Sequence, residues 1–477
     1  MNAIGGQRPA AGDTMGDNNP QRSERDVSRE VDPALVEGIT DAVEEKDVRG
    51  LSRRLADLHP ADAADALEQL GRDAFDDAIG LLGGDLPANI LIELRNEYRE
   101  GAVDALPDDV VASALQSLDS DDATAVLEDV DEDRRDRILD EIAPADRVAL
   151  EQRLTYEAET AGRLMQREVV AAPEYWTVGD AIDQARARGE DLPAQFYEIY
   201  VVNPAMHVTG CVPLAMLFRT AREVPLTDIM VSRLSRIDAD MDQEEVAYQF
   251  QKYSLAQAPV TDRDDRLIGM ITVDDMVDVI QEENTEDLLA LSNVSSADGS
   301  DTVWKSVRAR APWLAVNLLT AFLVSAVIAA FEDTLSAFVQ LAILMPVVAA
   351  LGGNAGSQGL AVSVRAIAER EMEGSAGNRA ILRETVTGVV NGILFAGAVA
   401  LIAFAWFQDP RLAGVIGAAM FCTFVWAGLS GVLIPLTLRR LGADPAVASS
   451  VFLLTMTDVI AFFSFLGLAS LLLVAVP

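Results

Sequence analysis

Cysteine, histidine and lysine are all scarce in these 477 residues, and each shortage removes a class of chemistry. Cys211 and Cys422 are the only cysteines, too few for a disulfide framework or a thiolate metal cluster. His59 and His207 are the only histidines, and both precede the long apolar runs. Neither an H-E-x-x-H zinc site nor a Ser/His pair can therefore be assembled inside a membrane half. Basic residues number 37 against 75 acidic ones, so duplex binding, which draws its affinity from Lys and Arg, is excluded. Only Lys46, Lys252 and Lys305 are lysines; the arginine bias and the net charge of −38 fit a halophilic protein kept hydrated in concentrated salt. In such a chain a single surface carboxylate is solvation first and a site second.

The acids are not spread evenly. Residues 1–303 hold 66 acidic and 27 basic residues, whereas 304–477 hold nine and ten and consist mostly of apolar runs long enough to cross a bilayer. The expected architecture is an acidic soluble body on a helical membrane domain. Residues 1–34, without apolar periodicity, read as a disordered tail. No apolar stretch follows the start, which leaves the soluble half in the cytosol.

From Leu58 an apolar residue followed by turn or N-cap residues recurs every twelve positions, at Leu70, Leu82, Leu94, Leu106, Leu118, Val130 and Ile142. A tight turn plus about two turns of helix fits that period, so 35–160 reads as an all-α superhelical stack of short helices. Residues 161–276 change to β-branched strands alternating with helices. Asn203 aligns with Asp262 and Gly210 with Gly269, both at an offset of 59, which marks a duplicated α/β module. The pair resembles tandem CBS domains, a family of nucleotide or ion sensors. By that resemblance Gly269, Thr272 and Asp275 hold a nucleotide such as ATP; a purely structural turn is the other reading. The first copy has Pro213 and Met216 at the equivalent places. Residues 277–310 form an acidic connecting helix. Steps of three and four among Asp274, Asp275, Asp278, Glu282, Glu283, Glu286 and Asp287 line up like charges that favour a counter-ion, or else form a solvated halophilic face.

Five apolar stretches follow within 311–477: 313–331, 335–364, 385–407, 412–436 and 447–476. Arginines cluster before the first, between the second and third, and between the fourth and fifth. The N-terminus is then cytosolic and the C-terminus extracellular. Only Asp458 is ionisable well inside a span, at a cost of at least about 2.5–3.5 kcal/mol, with no Lys, Arg or His in the spans to pair with it. A cation is its natural partner, and an all-oxygen environment suits magnesium better than zinc or copper. In the second span, Pro346 and the run Leu351-Gly352-Gly353-Asn354-Ala355-Gly356-Ser357-Gln358-Gly359 suggest a broken helix whose freed carbonyls line a polar path, with close helix packing as the alternative.

With these parts in this order, the chain resembles the MgtE family of magnesium channels over residues 35–477. The most specific matches are Gly352–Gln358, Arg439-Arg440-Leu441-Gly442-Ala443-Asp444-Pro445 and Thr457-Asp458-Val459. The resemblance implies a homodimer in the plasma membrane whose second and fifth spans line the pore, with Asp458 selecting magnesium and Gly352, Gly353, Asn354, Ser357, Gln358, Thr455 and Thr457 beside the path. It further implies an ion site at Asp444 near the cytosolic mouth and places Glu332 at the outer face. Asp275, Asp278, Glu283, Glu286 and Asp287 match the acids through which cytosolic magnesium closes such pores. Ser254 departs from the family's usual Asp, and Ala461 from its frequent Gly. A coupled divalent-cation transporter is the nearest alternative; an intramembrane protease would need residues that the spans lack.

Overall fold

The computed structural model describes residues 31–474, apart from 129, 190, 191, 194, 292–302, 369, 371, 373 and 374. The disordered tail expected at the start lies outside the described residues as far as residue 30, and so does 292–302 of the connecting stretch. Two compact units divide the chain, Met1–Leu150 and Glu151–Pro477.

The first unit is entirely helical among its described residues. After α1 (Pro33–Glu44) and α2 (Val48–Ala56) come α3 (Pro60–Glu68), α4 (Arg72–Leu82), α5 (Ala88–Glu93), α6 (Asn96–Ala105), α7 (Asp108–Leu115), α8 (Ser120–Glu128), α9 (Glu132–Glu141) and α10 (Pro144–Arg153), which crosses the division. Helices from α3 onward begin at steps of twelve residues, except α5. There Gly83 takes a left-handed φ of 49° in a 3-10 turn, and Pro87 delays the next helix to Ala88. The repeating apolar positions Leu70, Leu82, Leu94, Leu106, Val130 and Ile142 are buried, so the period read in the sequence is the period of the core. This is the expected stack of short helices.

The second unit starts with the duplicated module. Its first copy contains α11 (Ala161–Leu164), β1 (Ala171–Pro173), α12 (Val178–Arg188), β2 (Glu198–Val202), β3 (Val208–Pro213), α13 (Leu214–Arg219) and α14 (Leu226–Ile229). Its second contains β4 (Ile237–Asp238), α15 (Gln243–Tyr253), β5 (Gln257–Thr261), β6 (Leu267–Thr272) and α16 (Val273–Leu291). Each forms a three-stranded sheet, β1-β2-β3 and β4-β5-β6, with one parallel and one antiparallel pair. The offset of 59 holds to the residue: Val201 faces Gly210 as Val260 faces Gly269, and an irregularity follows each pair. Asn203 Oδ1 accepts from the backbone of Ala205 and His207, and Asp262 Oδ1 from Asp264 and Arg266, so both hairpins turn on the same Asx device. A Cβ on Gly210 would lie 2.7 Å from Met230 Sδ, and one on Gly269 would lie 2.6 Å from Met165 Sδ. Both glycines admit a neighbouring side chain onto the strand.

The membrane half comprises α17 (Val303–Ala329), α18 (Glu332–Ala337), α19 (Gln340–Ala368), α20 (Ser375–Phe407), α21 (Pro410–Arg440) and α22 (Pro445–Ala469). All but α18 are long and apolar enough to cross a membrane. Their core joins Leu341, Leu344 and Val348 of α19 to Ile416, Ala419 and Met420 of α21 and Ala461, Phe465 and Leu466 of α22. Small residues let α20 and α21 meet backbone to backbone: a Cβ on Gly388 would lie 2.6 Å from Phe424 O, and one on Gly428 2.6 Å from Glu384 O. Helix α17 leaves Leu314, Leu318, Leu319, Phe322 and Leu323 exposed, a surface suited to lipid or another chain.

The second span corrects one expectation. Helix α19 runs unbroken from Gln340 to Ala368 through Pro346 and the glycine run, so its carbonyls are not freed by a break. Its glycines serve packing instead. Gly352 abuts Thr423, Gly353 faces Leu454, and a Cβ on Gly356 would lie 3.3 Å from both Leu453 Cδ1 and Thr457 Cγ2. From the other side, a Cβ on Gly431 would lie 3.1 Å from Gly356 O.

Candidate functional site

Two places bring chemistry together, one at mid-depth in the helical bundle and one where the second module meets the helix ends. Asp458 lies midway along α22, half-buried. Its neighbour Thr457 is fully buried; its hydroxyl donates back to Leu453 O (2.9 Å) and Leu454 O (3.0 Å), and its methyl packs at Gly356. Thr457, Gly352 and Gly353 therefore sit in helix contacts within the chain. Thr455 is half-buried with its hydroxyl on Val451 O. On α19, by contrast, Asn354, Ser357 and Gln358 are exposed at spacings of three and four. A polar face on a span is expensive in hydrocarbon, so it faces water or protein.

The second place is a cavity of about 490 Å³. Helix α16 reaches it as a continuation of the second module. Its N-terminus is fixed by Asp275, whose Oδ2 accepts from Thr272 Oγ1 at 2.8 Å and Thr272 N at 3.4 Å. The expected nucleotide pair is thus bonded to itself as a helix cap, as Thr177 and Asp180 are in the first copy. Burial pushes Asp275 up to about 6. At the far end Ala290 packs with Leu360 and Val364 of α19 and with Ala446 and Leu453 of α22, and Leu291 lies against that cluster.

Within the two turns before this apolar tip, Glu283, Glu286 and Asp287 line the cavity. Glu159, just before α11, joins Asp242 and Glu244 of the second copy, and Asp444 comes from the start of α22, where its carboxylate caps Ala446 N at 2.7 Å. Against these seven acids stand Arg370 and Arg439. Burial raises Glu283 to about 7, with Glu244, Glu286 and Asp242 adding to the rise while a 2.6 Å hydrogen bond from Gln243 Nε2 opposes it. Asp287 is raised by burial, then by Asp444 and Glu286. Glu244 is raised by burial, then by Asp242, Asp287 and Asp444, with Arg370 opposing. Carboxylates from α15, α16 and α22 thus repel one another across one space. The acids of α16 also crowd its C-terminal half, with no basic residue in the last turn, where the helix dipole disfavours negative charge.

Not every expected acid is here. Asp275 and Asp278 lie on α16 outside the cavity lining, Asp278 being raised by burial and Asp274, while Glu332 is exposed at the start of α18. Glu159, Asp242 and Glu244 were not singled out by the sequence. The one available signal was the Asp242-Gln243-Glu244-Glu245 run opening α15, which is indistinguishable from a solvated acidic surface. Among the described residues no three His, Cys, Asp or Glu side chains converge closely enough to hold a metal directly; the acids surround the space.

Three family models match the chain: residues 345–468 a divalent cation transporter model named MgtE, 58–159 an MgtE intracellular N domain, and 226–282, in the second module, a CBS domain. The magnesium transporter MgtE of Enterococcus faecalis is 34% identical over 322 residues, which cover 68% of this chain and 71% of the relative. The magnesium transporter MgtE of Thermus thermophilus is 33% identical over 343 residues, covering 71% and 75% respectively. Among solved structures, the cytosolic domain of the Mg2+ channel MgtE in complex with ATP is 30% identical, covers 51% of this chain and 99% of its own, and superposes with a TM-score of 0.48.

Proposed function

The chain belongs to the MgtE family of divalent cation transporters, and from that membership we propose that it is a magnesium-selective channel closed by cytosolic magnesium. The observation that carries the gating half is the cavity, where seven carboxylates, from the stretch before α11, from the second module with α16 and from the start of α22, face one another at the ends of the pore helices. Two like charges 4 Å apart repel by about 4 kcal/mol at an effective dielectric of 20. Divalent ions neutralise that repulsion and hold α16 against α19 and α22; their loss lets it withdraw. Magnesium gives up its water reluctantly, so acids that surround a space without converging suit a partly hydrated ion.

Conduction falls to Asp458. One carboxylate per chain is a thin site, and a homodimer with a twofold axis along the pore would pair it. The exposed Asn354, Ser357 and Gln358 of α19 would then face the path. In this arrangement the N-terminus is cytosolic, the C-terminus extracellular and the membrane the plasma membrane. Thr272 and Asp275 mark where ATP would approach the module, and titration calorimetry with Thr272→Ala tests it. In concentrated salt the Debye length falls to about 3 Å at 1 M, so a halophilic channel would close at higher magnesium than its relatives.

The test is magnesium flux into liposomes as the ion is raised on the face carrying the soluble half. Flux should fall with magnesium and exceed carrier turnover. Flux that ignores magnesium on that face would overturn the gating reading, and turnover-limited flux would favour a coupled transporter.

A further inference from the structure

The cavity holds a cation of its own. Arg370 follows the end of α19 by two residues and adopts a left-handed φ of 55°, with its N–H donating to Ile367 O at 3.0 Å. Non-glycine residues take that conformation at a cost, and what it achieves here is to direct the side chain onto α15. The guanidinium carbon sits 4.5 Å from the centre of the Tyr248 ring, and the same group pairs with the carboxylate of Glu245. Glu245 and Tyr248 are three residues apart, neighbours on one helix face, so α15 presents an acid and a ring together. Both partners of the ion pair are largely shielded, with 36% of the arginine side chain and 29% of the glutamate side chain exposed.

This contact joins the second module to the end of a pore helix without any bound ion. It leaves Glu244, the next acid along α15, to the cavity and takes Glu245 away from it. We propose that Arg370 is a latch residue that tethers α19 to α15 and thereby sets how much magnesium is needed to keep the pathway shut. The latch exists only while the module is docked, so it adds a fixed, metal-independent share to the docked state, and ions supply the rest. The gating part of this inference rests on the proposed closure by magnesium; the tether itself does not.

The experiment uses the full-length protein in liposomes. Arg370→Ala should raise the half-closing magnesium concentration about fivefold, the combined worth of a shielded ion pair and a cation–π contact, and Glu245→Ala by less, the worth of the ion pair alone. Maximal flux without magnesium should be unchanged. The double alanine variant should match Arg370→Ala, and the exchanged pair R370E/E245R should restore much of the wild-type response. Additive effects of the two alanines, or an unmoved half-closing concentration, would overturn the latch. A second readout is independent of gating. In a Cys422→Ala background, a bismaleimide should join Gln251→Cys to Ala368→Cys, both on the cavity wall, and Arg370→Ala should lower the yield. If wild-type flux ignores magnesium, the closure reading fails and the cross-link alone decides the tether. An unchanged yield in Arg370→Ala would then sink it.

Discussion

Replacing Asp287 by asparagine sets two effects against each other, and their balance can be worked from the structure. The side chain is half-buried on α16, and the charges acting on it are Asp444 of α22 and then Glu286. Removing its charge relieves repulsion that otherwise pushes α16 from α22. For two charges about 6 Å apart at an effective dielectric near 20 this is about 3 kcal/mol, and partial exposure reduces it to roughly 1 kcal/mol. The same change takes one carboxylate from a bound dication, whose double charge doubles the lost attraction, to roughly 2 kcal/mol on the same scale. The ion therefore loses more than the empty cavity gains, by about 1 kcal/mol, equivalent to a roughly fivefold higher half-closing concentration. Asp278→Asn provides the control: it lies on the same helix but outside the cavity lining, and should move that concentration by less than about twofold. The assay is liposome flux against magnesium on the face bearing the soluble half. Equal shifts for Asp287→Asn and Asp278→Asn, or a lower half-closing concentration for Asp287→Asn, would show that Asp287 does not hold the ion.

Two further outcomes follow from local geometry. Glu283 is raised to about 7 from an ordinary value near 4.5, so its contribution favours the folded, docked state below 4.5 and is lost as pH rises through 7. Thermal unfolding with chelator should therefore show lower stability at about pH 8 than at about pH 5, and magnesium should shrink the difference; Glu283→Gln should remove part of it. In the bundle, Gly388→Ala would drive a methyl into Phe424 O and should destabilise the protein by about 1–3 kcal/mol, whereas Gly397→Ala, with nothing within 4 Å, should be neutral or stabilising by up to about 1 kcal/mol. Equal melting temperatures for the two variants would contradict the backbone contact between α20 and α21.

What could be read in advance was whatever repeats or has a length. The twelve-residue period sets where helices can start, so only α5, delayed by the Gly83–Pro87 turn, departed from it. The offset of 59 survived because strand register admits no slippage without turning every side chain over. Asp458 stood out because a carboxylate among apolar residues carries information that one among 75 acids does not. The same saturation hid Glu159, Asp242 and Glu244: a cavity is a convergence of distant segments, and each of its acids looks alone like hydration. The glycines of α19 read first as a broken helix along a path, with packing as the alternative, because the groups they pack on, Thr423 and Gly431 of α21, belong to another helix. Arg370 was legible only as a topology-setting charge, since Glu245 and Tyr248 lie more than a hundred residues earlier.

If the lone carboxylate in α22 draws the ion through the bundle, Asp458→Asn should stop it. The substitution keeps the shape and removes the charge. Flux of magnesium, calcium and manganese should be compared in liposomes holding wild-type and variant protein matched for oligomeric state by light scattering. The variant should assemble normally and lose magnesium flux together with its preference over calcium. Magnesium flux and selectivity equal to wild type would contradict this role.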